Sequence, residues 1–133
     1  MGGFNDLLGI EIVGQTAEGY VLSLEIDSGK HHHDAGMVHG GVLLGLLDTV
    51  LSRTLRSQWN NAVYAPTLSI SVNFFRPAQS GAIKAVGKIV NKSRSTCCVE
   101  GCLYNEEGKL LVLGTGTFFL NPVSSPSLKA SLI

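Results

Sequence analysis

Apolar and polar residues alternate along most of this chain, and the alternation is interrupted once by a long run of a different period. Residues 4–8 read as a short helical turn, and 10–16 and 19–27 alternate as half-buried strands do. Residues 28–38 form a loop holding three consecutive histidines, His31, His32 and His33. From residue 40 to about 58 the period changes: Val42, Leu43, Leu46, Leu47, Val50, Leu51 and Leu55 recur at helical spacing. Alternation then returns over 67–74, with Leu68, Ile70, Val72 and Phe74 on one face and Thr67, Ser69, Ser71 and Asn73 on the other. Pro77 ends that strand because it has no N–H to give to a ladder. Residues 81–90, 95–104 and 110–120 read as three further strands. The separators 91–94 and 105–109 are short and turn-rich, as antiparallel hairpins require.

The helical run predicts the architecture. At 100° per residue its first three turns are apolar over most of the circumference, leaving a sector of Gly41, Gly45, Asp48, Thr49 and Ser52. A helix apolar nearly all round is expected to be buried nearly all round. In a chain of short strands that requires a sheet wrapped about it, hence an α+β fold with a long central helix against an antiparallel sheet. Residues 1–121 are expected to form one domain. The serine-rich stretch 122–133, with two prolines, is expected to be a loosely ordered tail.

Composition narrows the partners. The 133 residues are 44% hydrophobic and only 15% charged, a thin hydrophilic shell that suggests cover by a partner subunit. Ten basic and ten acidic side chains cancel, so no overall field draws the chain to nucleic acid or to an anionic membrane. No run reaches the ~18 apolar residues of a membrane span. The first eight residues lack the basic cluster and apolar stretch of a secretory signal. Cys97, Cys98 and Cys102 show no zinc spacing, and Cys98 and Cys102 share one strand face, a poor geometry for a bridge. They read as reduced thiols, which fits a cytoplasmic protein.

Candidate chemistry gathers in residues 36–49. Gly40 and Gly41 at a helix start permit close backbone approach and leave outward N–H groups. With the positive end of the helix dipole, such donors suit a developing oxyanion. Asp48 follows two turns later on the polar sector, with no lysine or arginine three or four residues away. A carboxylate there costs desolvation unless it is paired or used. Spacing alone leaves open a bond to the hydroxyl of Thr49 or Ser52. Elsewhere, Lys92, Ser93, Arg94 and Ser95 make a basic, hydroxyl-rich turn suited to phosphate contact or to an ordinary solvated hairpin.

The pattern Gly36-x-x-His39-Gly40-Gly41-Val42-x-x-x-Leu46-x-Asp48, with Asn73-Phe74-Phe75-Arg76-Pro77 and Gly114-Thr115-Gly116-Thr117-Phe118, resembles the PaaI-type branch of hotdog-fold thioesterases. The likeness runs from about residue 7 to 120. It implies a five- or six-stranded sheet around the helix, and subunits paired through their sheets as a homodimer or homotetramer with interface sites. It also implies hydrolysis of an acyl-CoA thioester without metal or organic cofactor. By the same likeness Asp48 is general base or nucleophile, Gly40 supplies the carbonyl-polarising N–H with Gly41 beside it, Thr67 helps place water, and His39 orients the loop. Where the family carries an asparagine, six residues before His39, this chain has His33 beside Asp34. An imidazole there donates as an amide does, but its charge varies near neutral pH. The other histidines read as a solvated loop, not a metal site. A non-catalytic acyl-CoA-binding module of the same fold is the alternative.

Overall fold

The computed structural model describes residues 2–58 and 63–122. Helix α1 (Gly3–Leu8) stops at Gly9, whose left-handed φ of 81° turns its N–H back onto the carbonyls of Asn5 and Asp6. Strands β1 (Ile10–Gln15) and β2 (Tyr20–Glu25) follow, then a four-residue helix α2 (Ser28–His31) and the long α3 (Gly40–Ser57). After β3 (Val63–Tyr64) come β4 (Thr67–Phe74), β5 (Ala82–Lys92), β6 (Thr96–Tyr104), β7 (Leu110–Phe119) and β8 (Asn121–Pro122). Six strands form one antiparallel sheet in the order β1-β2-β5-β6-β7-β4, and β3 pairs with β8. The expected long helix on an antiparallel sheet is what forms. Among the described residues no helix is long and apolar enough to cross a membrane.

Burial of α3 differs from the expectation. Leu43, Leu46, Leu47, Val50, Leu51, Thr54 and Leu55 are buried against the sheet, but Leu44 is 38% exposed and Gly41 lies open. One sheet covers one side of a helix, and α1 covers only part of the other, where the Phe4 ring lies over Gly45. The sector carrying Asp48 therefore stays half open.

Three glycines seat the helix. Gly87 on β5 pairs with Gly101 on β6, which pairs with Gly114 on β7, a continuous row under α3. A Cβ at Gly87 would collide with the Thr54 hydroxyl and come within 3.1 Å of the Val50 carbonyl. At Gly101 it would stand 2.8 Å from Leu47 and at Gly114 3.1 Å from the Ser71 carbonyl of β4. Glycine inside a strand weakens it locally but permits this approach. Gly114→Val should overpack the contact and lower stability by about 2–3 kcal/mol. The check is the shift in urea midpoint at unchanged slope.

Other differences are local. Leu68 falls at a register shift between Thr67 and Ser69 and is 58% exposed, while Phe74 is 50% exposed at the other end of the same edge strand. Asn91 and Lys92, expected in a turn, extend β5 and pair with Cys98 and Cys97. The expected boundary at 121/122 falls within β8, and residues 123–133 of the expected tail lie outside the described residues.

Candidate active site

The segment leading into α3 is an Ω-like loop closed at its neck. Asp27 caps α2 by accepting from the Gly29 N–H at 2.8 Å. The His31 carbonyl accepts from the His39 N–H, also at 2.8 Å, which brings the two ends together. Contrary to the expectation of a solvated histidine run, His31 is buried at 1% exposure. Its Nδ1 accepts from the Asp27 N–H at 2.9 Å and its Nε2 meets the Leu8 carbonyl at 2.8 Å. Burial is possible because both ring nitrogens are satisfied. His32 Nε2 bonds the Gln79 carbonyl at 2.7 Å.

His33 and Asp34 lie exposed on the loop. The Ala35 N–H donates to His33 Nδ1 at 3.0 Å, and the ring stands edge-on to His39 with centroids 6.4 Å apart. His39 is the N-cap of α3, its Nδ1 accepting from the Gly41 N–H at 2.8 Å. Each ring thus accepts at Nδ1, so in the neutral form each carries its hydrogen on Nε2. The two outward N–H groups expected at the helix start are reduced to one. Gly41's is taken by His39, and Gly40's has no hydrogen-bond partner among the described residues. Gly40 opens onto a crevice of about 330 Å³ lined by Leu43, Phe74, Phe75 and Arg76. In the sequence Arg76 stands out only as part of the Asn73–Pro77 motif. Its contribution to the crevice depends on how the chain after β4 turns back beside α3, which spacing does not reveal.

Asp48 lies two turns further along. The Thr67 hydroxyl donates to its Oδ1 at 3.4 Å, a long contact joining the helix to the first residue of β4. The hydroxyls considered as alternatives do not take it: Thr49 Oγ1 bonds the Gly45 carbonyl at 2.8 Å and Asn5 Oδ1 at 3.1 Å. Asp48 has no ion pair among the described residues. The structure thus brings Asp48 to Thr67, and His33 to His39, as two separate clusters.

The Lys92–Ser95 turn sits at Thr67's end of the sheet. Thr67 pairs with Phe118, Phe118 with Cys97 and Cys97 with Lys92. Three strand spacings separate them, about 14 Å. Ser93 Oγ closes the turn on the Thr96 hydroxyl at 2.7 Å. The cysteines are free. Burial pushes the Cys97 thiol up, reinforced by neighbouring Cys98, and burial likewise raises Cys102 against the opposing bond to Tyr104. Thiols held protonated are poor nucleophiles. Among the described residues no cluster of three His, Cys, Asp or Glu side chains is placed to hold a metal ion.

Residues 35–112 match the family model of the thioesterase superfamily. The provisionally assigned esterase ComA2 of Bacillus subtilis is 28% identical over 113 residues, covering 84% of this chain and 89% of that one. A variant of the phenylacetic acid degradation protein PaaI from Thermus thermophilus superposes with a TM-score of 0.77 at 30% identity, covering 87% of this chain and 96% of that one. A Bacillus halodurans protein solved with CoA superposes with a TM-score of 0.78 at 28% identity, covering 88% of this chain and 74% of that one.

Proposed function

Since the chain belongs to the thioesterase superfamily, in its PaaI-type hotdog branch, we propose that it hydrolyses acyl-CoA thioesters, with Asp48 as the group that delivers the attacking oxygen. The observation that carries this reading is the carboxylate on the half-open sector of a core helix, which among the described residues makes no ion pair and accepts a side-chain hydrogen bond from the Thr67 hydroxyl alone. Asp48 acts either by taking a proton from water as that water attacks the carbonyl carbon, or by attacking directly to form an acyl anhydride that water then opens. In both routes the C–S bond breaks and coenzyme A leaves as the thiol. Thr67 orients the carboxylate and the water.

The polarising donor is the Gly40 N–H, at the positive end of α3. His39 holds the first turn through Gly41, so Gly41 contributes space and cap geometry, not a hydrogen bond to substrate. His33, its ring centroid 6.4 Å from that of His39, supplies an N–H in place of the family's amide. Lys92, Ser93, Arg94 and Ser95 suit the phosphates of coenzyme A, about 14 Å across the sheet from Thr67.

Gly40 and Asp48 are eight residues apart on one helix, about 12 Å along its axis. Attack on a carbonyl needs reacting atoms about 3–3.5 Å apart. An intervening water narrows the gap without closing it, so the two act on one thioester when they come from different copies of the chain. That geometry supports a homo-oligomer, and the open edge strand β4 with exposed Leu68 and Phe74 offers a surface for it. The deciding experiment is thiol release from acetyl-, hexanoyl-, palmitoyl- and benzoyl-CoA. Hydrolysis of at least one supports the enzyme, and binding of all without hydrolysis supports a non-catalytic acyl-CoA module.

A further inference from the structure

We propose that His31 is a positioning residue, whose buried imidazole holds the neck of the loop so that the Gly40 N–H points where the thioester carbonyl must lie. The inference rests on the reading of Gly40 given above. Of the three adjacent histidines only His31 is buried, and its ring joins two segments distant from the helix start. The Asp27 N–H, just past β2, faces Nδ1, and the Leu8 carbonyl, at the end of α1, faces Nε2. Both contacts are met at once by the neutral ring with its hydrogen on Nε2. The same residue's main chain completes the connection: its N–H donates to the Asp27 carbonyl at 2.8 Å, and its carbonyl accepts from the His39 N–H.

A line of bonds therefore runs from Leu8 through the imidazole and the His31 carbonyl to His39, the residue that caps α3 and immediately precedes Gly40. Two other main-chain bonds hold this point among the described residues, the Val38 N–H on the Ala78 carbonyl and the His33 N–H on the Met37 carbonyl, both at 2.8 Å, and neither reaches α1 or the end of β2. Losing the ring leaves the buried Leu8 carbonyl without this partner and frees the part-buried Asp27 N–H, a cost met by displacing the neck. The helix itself, bedded on the sheet through residues further along, keeps its place. A displacement of about 1 Å at a group aimed at a reacting carbonyl costs on the order of 10²-fold in rate.

The test compares three substitutions. His31→Phe fills the site and makes neither bond. His31→Asn keeps an acceptor close to the position of Nδ1, and His31→Gln keeps a donor close to that of Nε2. Hydrolysis is followed with hexanoyl-CoA and benzoyl-CoA, and amide hydrogen exchange is followed on the enzyme alone. The expected result for His31→Phe is a fall in kcat of roughly 10- to 100-fold with KM little changed. Exchange should quicken at residues 38–41 and not in the sheet, and Asn and Gln should each recover part of both losses. Native kcat and native exchange in His31→Phe overturn the proposal. So does exchange raised throughout the chain, or failure of all three variants to fold, because His31 then supports the whole fold. If His31→Phe alone does not fold, partial losses in the other two decide. Asp48→Asn is assayed in parallel: if it hydrolyses as the native enzyme does, the reading of the active site has failed, while exchange at 38–41 still reports on His31.

Discussion

Asp48→Asn is expected to lower kcat by roughly 10²-fold or more on the best acyl-CoA substrate, as removal of a positioned base does, while the urea midpoint stays within the range of a surface substitution. The amide is nearly the size of the carboxylate, so no cavity opens, and its oxygen still accepts from the Thr67 hydroxyl 3.4 Å away. What disappears is the basic, anionic oxygen. The half-open position of Asp48 separates the two effects, because an uncharged group there loses no ion pair: none is made among the described residues. Steady-state kinetics with denaturation of the same sample checks both halves, and undiminished hydrolysis would remove Asp48 from the mechanism.

Two inactive variants should restore activity to each other. Gly40→Pro deletes the N–H at the first helical position, where proline is well tolerated. The preceding His39, at φ −62° and ψ 135°, already has the extended backbone that a following proline demands. Loss of one oxyanion donor is expected to cost on the order of 10²- to 10³-fold in kcat. Unfolded together with Asp48→Asn and refolded, half of the dimers are mixed. If Gly40 and Asp48 of one site come from different copies, one of the two sites in each mixed dimer is intact in both respects. The mixture then regains about a quarter of native activity, by the symmetry of a two-fold interface. If both groups act within one chain, every site carries one lesion and nothing is regained.

The period change at residue 40 made the helix and its polar sector legible, since seven apolar side chains at helical spacing describe one buried face whatever covers it. Alternation made the strands legible for the same reason. It did not make β4 an edge strand: Leu68, Ile70, Val72 and Phe74 alternate as in a covered strand, and the exposure of Leu68 and Phe74 at its two ends depends on which elements stand beside them. The glycine row was illegible because Gly87, Gly101 and Gly114 are neighbours only once the register of three strands is set. The burial of His31 was illegible because a polar loop of histidines is ordinarily solvated. Its burial depends on a carbonyl 23 positions earlier in the chain. Asp48 stood out by itself, but its meeting with Thr67 depends on how β4 lies against α3.

The glycine row also fixes a height. Three adjoining strands offer bare peptide planes to α3 where other sheets offer side chains, and a peptide plane has no rotamers to choose among. A floor without rotamers holds whatever rests on it at a single level. Asp48 rides on that helix while Thr67 belongs to the rim of the sheet, so the gap between carboxylate and hydroxyl is gauged by carbon atoms that are missing some distance away. A single methyl at Gly87 would act as a shim beneath Thr54, tilting the carboxylate away from its hydroxyl with neither residue altered.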